Sequence, residues 1–192
     1  VSPHVRIGES GARLNASRIG DVNADVLIGG DPVVSASAEV LTRIRADQTQ
    51  AVVNTFIAPA AAQAADPELV FDSESILANV KSRVVADGSV FANATELAFG
   101  LLGNKIYANI LMLGIAFQKG LIPLEFNSIK QAIQLNGAAV EENITAFIWG
   151  RRYAVDPDAV SEVAGLAETS PLSLEQKITV RTDHLVAYQN AA

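Results

Sequence analysis

The chain is 192 residues long, 49% apolar and only 18% charged, enough for one ordinary domain with a real core and so poor in charge that it suits a larger assembly. Its formal charge is −7 and its longest basic run is the pair Arg151-Arg152, which excludes the concentrated positive surface needed for nucleic acid or anionic lipid. It has no cysteine, which excludes disulfides, thiolate nucleophiles and cysteine-ligated zinc or iron–sulfur clusters within this chain.

The opening residues lack the charged-then-apolar layout of a signal peptide, so a cytoplasmic location is expected. "HVRIG" (4–8) is a short β-type run that puts His4 and Arg6 on one face, where they could meet an anion. The only other histidine is His184, so a multi-histidine metal site is not expected. "ADVLIGG" (24–30) is an apolar run ended by glycines, the pattern of a strand buried on both faces. "DPVVSASAEVLTRIR" (31–45) predicts a helix, with Asp31 as N-cap, Pro32 at the first helical position, and Val33, Val34, Ala38, Leu41 and Ile44 as its apolar stripe. "QAVVNTF" (50–56) is a second buried strand. Strand, helix and strand with short joints make a βαβ unit, hence an α/β fold with a parallel or mixed sheet flanked by helices.

"APAAAQAADPE" (58–68) is a low-complexity surface connection. "DSESILANVKSRV" (72–84) predicts a helix capped by Asp72 or Ser73, with Ile76, Leu77, Val80 and Val84 on one face. "GSVFANA" (88–94) predicts a last short strand, after which the character turns helical. The helix expected over 104–119 is apolar all round, yet its longest charge-free run, 106–118, is thirteen residues. A bilayer span needs about 20, so a membrane role is not expected. Such a helix is either interior or a subunit interface, and Gly114 in its middle points to close backbone packing. Pro123 ends it. A further helix is expected over 127–152, with Ser128 and Gln131 as a capping box and with Ile129, Ile133, Val140, Ile144 and Phe147 at helical spacing. "DPDAVSEVAGLAETSP" (156–171) is expected to be a linker. A final amphipathic helix, 173–189, then carries Leu174, Ile178, Leu185 and Tyr188 as its stripe. Exposed apolar surface predicts a homodimer.

No catalytic constellation stands out. Glu141 and Glu142 are neighbours on a helix, diverge by about 100° and are expected to be solvated. No serine sits in a G-x-S-x-G elbow. In open α/β sheets ligands lie beyond the carboxyl ends of the strands, which makes Gly30, Asp31, Asn54 and Thr55 the generic pocket candidates beside Arg6. No G-x-G-x-x-G fingerprint is present, and the Asp31 carboxylate occupies the position an anion would take at the helix N-terminus.

Six stretches together resemble one family: "SPHVRIG" (2–8), "ADVLIGGDPVVSASAEVL" (24–41), "AVVNT" (51–55), "NILMLGIAFQKGLIPL" (109–124), "AIQLNGAAVEENITAFIWGRR" (132–152) and "LVAYQNAA" (185–192). They are similar to the gamma domain of the 2-oxoacid:ferredoxin oxidoreductases, in particular the fused indolepyruvate type. The resemblance implies a three-layer α/β domain, with a gamma-type domain over 1–155 and a linker and C-terminal helix over 156–192. It also implies an enzyme that oxidatively decarboxylates a 2-oxoacid on thiamine diphosphate, with magnesium, iron–sulfur clusters, ferredoxin and coenzyme A. The clusters and thiamine diphosphate are held by other domains or subunits, and this domain governs the approach of CoA. The family's glycine-rich opening unit before "HVRI" is missing, and the sequence stops within "AYQNAA". The chain is therefore expected to be an excised domain, inactive alone and binding no cofactor by itself.

Overall fold

Parallel strands need apolar side chains on both faces, and Gln50–Asn54 supplies them. The computed structural model describes residues 3–8, 18–57 and 73–166. Within them β1 (Val26–Gly29), β2 (Gln50–Asn54) and β3 (Val90–Ala92) form one parallel sheet in that order, with Leu27 opposite Ala51 and Val53 opposite Phe91. Alternation along β2 divides the core in two. Ala51 and Val53 pack with Leu41, Ile44, Val80 and Val84, whereas Val52 packs with Ala92, Leu97, Leu111, Met112 and Ile115. The result is three layers, helix–sheet–helix, as expected for the α/β class.

One outer layer holds α1 (Pro32–Ser35), α2 (Ala38–Leu41) and α3 (Ser73–Lys81). Beyond β3 the rest is helical: α4 (Ala94–Leu102), a 3₁₀ turn (Lys105–Tyr107), α5 (Ala108–Gln118), α6 (Phe126–Asn136), α7 (Val140–Val155) and α8 (Pro157–Val163).

The helix α5 settles the question its composition raised. Leu111, Met112, Ile115 and Ala116 are at most 1% exposed, so this chain's own elements enclose most of it, although Ile106 in the 3₁₀ lead-in is 72% exposed. Its main partner is α7, and the two backbones approach through reciprocal glycines. A Cβ on Gly114 would lie 2.1 Å from the Phe147 carbonyl oxygen, and one on Gly150 would lie 1.9 Å from that of Leu111. The close packing expected at Gly114 is therefore found. Its counterpart, Gly150, carried no sign in the sequence.

Several expectations are corrected. Residues 4–8 join no ladder, and Val5 and Ile7 are exposed. The strand β1 is not buried on both faces: it is an edge of the sheet, with Ile28 exposed. The single helix over 31–45 is two short ones, because the Ser37 hydroxyl accepts from the Val40 N–H and restarts the helix. Its stripe is buried only in the second half, at Leu41 and Ile44, while Val33 and Val34 are exposed. The single helix over 127–152 is likewise two, since Gly137 takes a left-handed conformation (φ 72°) that ends α6. That helix starts at Phe126, so Ser128 lies within it and caps nothing. Residues expected to open a linker instead form α8, capped by the Asp156 carboxylate on the Ala159 N–H, and Val160 joins the core. The connection at 58–68, the Asp72 cap and the helix at 173–189 lie outside the described residues.

Candidate functional site

The three strands end together, and the polar groups there come from the turns that follow them. After β1, Gly29 and Gly30 lead into α1. A Cβ on Gly29 would lie 2.1 Å from the Ser35 hydroxyl, so glycine is what lets α1 fold back against the strand. The Asp31 carboxylate accepts from the Val33 and Val34 N–H groups at 2.7 and 3.1 Å, and the Ser35 hydroxyl donates to the Asp31 carbonyl at 2.6 Å. Asp31 is thus the N-cap expected of it. Its charge is spent on backbone amides rather than held out for a ligand.

After β2, Asn54 is 5% exposed and ties the strand ends together. Its Nδ2 donates to the Gly30 carbonyl at 3.1 Å and to the Thr95 hydroxyl at 2.8 Å, and its Oδ1 accepts from the Phe56 N–H at 3.2 Å. The Thr55 N–H donates to the Ala92 carbonyl at 2.9 Å, linking β2 to β3, and its side chain is half-exposed. Gly30, Asp31, Asn54 and Thr55 therefore do gather on one rim.

Two more residues complete that rim, and neither was singled out as a site residue from the sequence. Asn109, exposed in the first turn of α5, brings its Oδ1 to 3.2 Å from where a Gly30 Cβ would be. Its one sign was an amide interrupting an otherwise apolar run. Lys105 stands on the flank beside Phe56, the second residue after Asn54. Its Nζ lies 4.8 Å from the Phe56 ring centroid and 5.6 Å from that of Phe99, and 2.8 Å from the Glu96 carboxylate. Aromatic faces and a carboxylate hold that ammonium in place while the side chain as a whole stays 47% exposed.

Arg6 stands apart. It follows His4, whose Nδ1 accepts from the Ile19 N–H at 2.9 Å, while Ile19 in turn accepts from Arg43. Arg43 and Thr42 receive Ala24, Asn23 and Val22 through their carbonyls, at the start of β1 rather than at its end. The helix-start acids Glu141 and Glu142 are exposed, as expected. Among the described residues, burial first, and then the charge of Asp158, push the Tyr153 phenol above its ordinary value near 10.

Chemically, the rim offers amides, hydroxyls, backbone groups and one held cation. It can bind and orient a polar or anionic ligand, but it presents no nucleophile–base pair. Residues 1–153 match the sequence model of a family described as pyruvate ferredoxin/flavodoxin oxidoreductase. No curated protein and no solved structure matches the chain.

Proposed function

Since this chain belongs to the pyruvate ferredoxin/flavodoxin oxidoreductase family, we propose that it is the gamma domain of a thiamine diphosphate-dependent 2-oxoacid:ferredoxin oxidoreductase. In this reading the 2-oxoacid is an arylpyruvate such as indolepyruvate, the product is an acyl-CoA, and the enzyme works in the cytoplasm with ferredoxin as acceptor. The domain closes over the thiamine site of a neighbouring domain and positions CoA. Its contribution is orientation and exclusion of water rather than proton transfer.

The observation that carries this reading is the composition of the strand-end rim: neutral donors and acceptors around Asn54, Thr55 and Asn109, with Lys105 held at its flank. CoA is polyanionic and the chain is acidic overall, so any attraction has to be local. Lys105 is the local cation the rim provides. In this reading thiamine diphosphate, magnesium and iron–sulfur clusters are held outside this chain. The chain has no cysteine, and no group of three His, Cys, Asp or Glu side chains among the described residues could hold a metal. Those groups belong, in this proposal, to the partner domains or subunits, and the chain alone turns nothing over.

A scaffold that merely cements subunits is the competing reading. It rests on α5 as an adhesive helix, but Leu111, Met112, Ile115 and Ala116 are already covered by this chain's own elements. A homodimer remains part of the proposal, drawn from the exposed Ile28, Val33 and Val34. The test uses the assembled enzyme. Lys105→Met is expected to raise the KM for CoA about tenfold, the equivalent of one charge-assisted contact. The KM for the 2-oxoacid and the CoA-independent decarboxylation half-reaction should not change. An unchanged CoA dependence in that variant, with the domain folded and assembled, would remove the basis for the proposal.

A further inference from the structure

A second concave surface shares no residue with the strand-end rim. The helices α7 and α8 leave a common corner at Asp156 and open a shallow groove of about 630 Å³. Its apolar lining reaches solvent: Ile148 and Val155 on α7 and Val163 on α8 are 37%, 72% and 63% exposed. The chain's single tryptophan, Trp149, lines it too. Apolar surface this contiguous marks a place where something packs.

The two walls carry opposite charge. On α7, Arg151 and Arg152 line the groove, each guanidinium set against aromatic rings. Arg151 lies 5.3 and 5.4 Å from the Phe117 and Phe126 ring centroids, and Arg152 lies 5.0 Å from that of Trp149. On α8, Asp158 and Glu162 are exposed and stand one turn apart, alongside the groove-lining Ala159 and Val163. Among the described residues none of these four charges is in an ion pair. At the corner, the Asp156 carboxylate is spent on the Ala159 N–H at 3.0 Å. Basic on one wall and acidic on the other, with aliphatic side chains between, this surface is complementary to itself.

We propose that a second copy of this chain covers the groove, related to the first by a two-fold axis running along it. Such an axis sets α7 of each copy over α8 of the other, the isologous arrangement of a closed dimer. Rotation about it preserves position along the groove, so distances from the shared corner decide what meets what. Arg152 lies about 6 Å along α7 from Asp156, while Asp158 and Glu162 lie about 3 and 9 Å along α8. Each Arg152 therefore falls between the two carboxylates of the other copy. Ile148, about 12 Å from the corner, falls opposite Val163 at about 10 Å, apolar against apolar. An axis across the groove would instead set Arg151 and Arg152 against their own copies, and like charges oppose that pairing. The inference rests on the homodimer of the reading above and not on its catalytic role. It places the contact here rather than at Ile28, Val33 and Val34, which are less exposed than Val155 and Val163.

Sedimentation equilibrium on the full 192-residue chain tests this, and Trp149, the one indole present, gives a second readout on the groove itself. A concentration-dependent dimer is expected, with Trp149 emission moving to shorter wavelength as it forms. Arg152→Glu and Glu162→Arg should each raise the dissociation constant about tenfold, and the two together should restore it to within about threefold of the parent. Val163→Asp should weaken the dimer as strongly, whereas Ile28→Asp should leave it unchanged. A parent chain that stays monomeric, or a double variant no tighter than either single one, would overturn the proposal. So would a dimer lost with Ile28→Asp and kept with Val163→Asp, which would move the contact to the edge strand. None of these measurements involves CoA or turnover, so their failure is distinct from failure of the catalytic reading.

Discussion

Replacing Asn54 with alanine would strip three contacts from one buried point. The Gly30 carbonyl and the Thr95 hydroxyl lose their donor, and the Phe56 N–H loses its acceptor. Each buried group left without a partner costs about 1–3 kcal/mol, less what water recovers, so a loss of roughly 3 kcal/mol in urea unfolding is expected. A loss below about 1 kcal/mol would show that the strand ends are held by something else. This residue was legible in the sequence because a polar side chain ended an apolar run just where ligands sit in such sheets. Gly30, Asp31 and Thr55 were legible for the same reason. Lys105 and Asn109 were not. Their neighbours on the rim come from segments about fifty to eighty positions earlier, and no local pattern marks a side chain that becomes important only after α5 has docked.

Between elements, the tightest constraint is the crossing of α5 and α7. Alanine at position 114 gains about 1 kcal/mol of helix propensity over glycine. Against that gain, the new Cβ would stand 2.1 Å from the Phe147 carbonyl oxygen, with the Arg151 backbone nitrogen 3.2 Å away. Both obstacles are main chain, which cannot swing aside as a rotamer can, so the helices must separate along a contact that buries Leu111, Met112 and Phe147. Overpacking of this kind costs about 1–3 kcal/mol or more. We expect Gly114→Ala to destabilise by about 2 kcal/mol net, read as a lower melting temperature, and a variant as stable as the parent would refute the close crossing. At this scale the sequence announced where helices and strands exist better than where they break. Gly137 was visible inside 127–152, but apolar spacing resumes at Val140 in near register and masks the interruption. Ser37 was masked in the same way within 31–45, since serine is tolerated inside a helix as well as at its start. An apolar run such as "DVLIGG" is also the same whether a neighbour covers both faces or leaves an edge, so the exposure of Ile28 was invisible until the strand order was known.

For the molecule as a whole, alkaline stability joins a general effect to a particular one. The chain already carries a formal charge of −7, and raising the pH adds negative charge that strains any compact state through self-repulsion. Tyr153 adds a local contribution. Burial, and then Asp158, raise the phenol of the folded state above its ordinary value near 10. Between the unfolded and the folded value the native state holds the proton that the unfolded chain has released. By linkage, stability is fully present below about pH 10 and declines as pH rises through the folded value. The two contributions separate by salt. Exposed charges lie beyond a Debye length of about 3 Å at 1 M, so the general repulsion is screened, whereas the cost of ionising a phenol packed on the core is not. Melting curves from pH 9 to 11.5 in 1 M salt should therefore still fall for the parent chain and fall less for Tyr153→Phe, which removes the ionisable group while keeping the ring. Parallel curves for the two proteins would mean that the phenol is freely solvated, and would loosen the packing assigned to the side of α7 that faces the core.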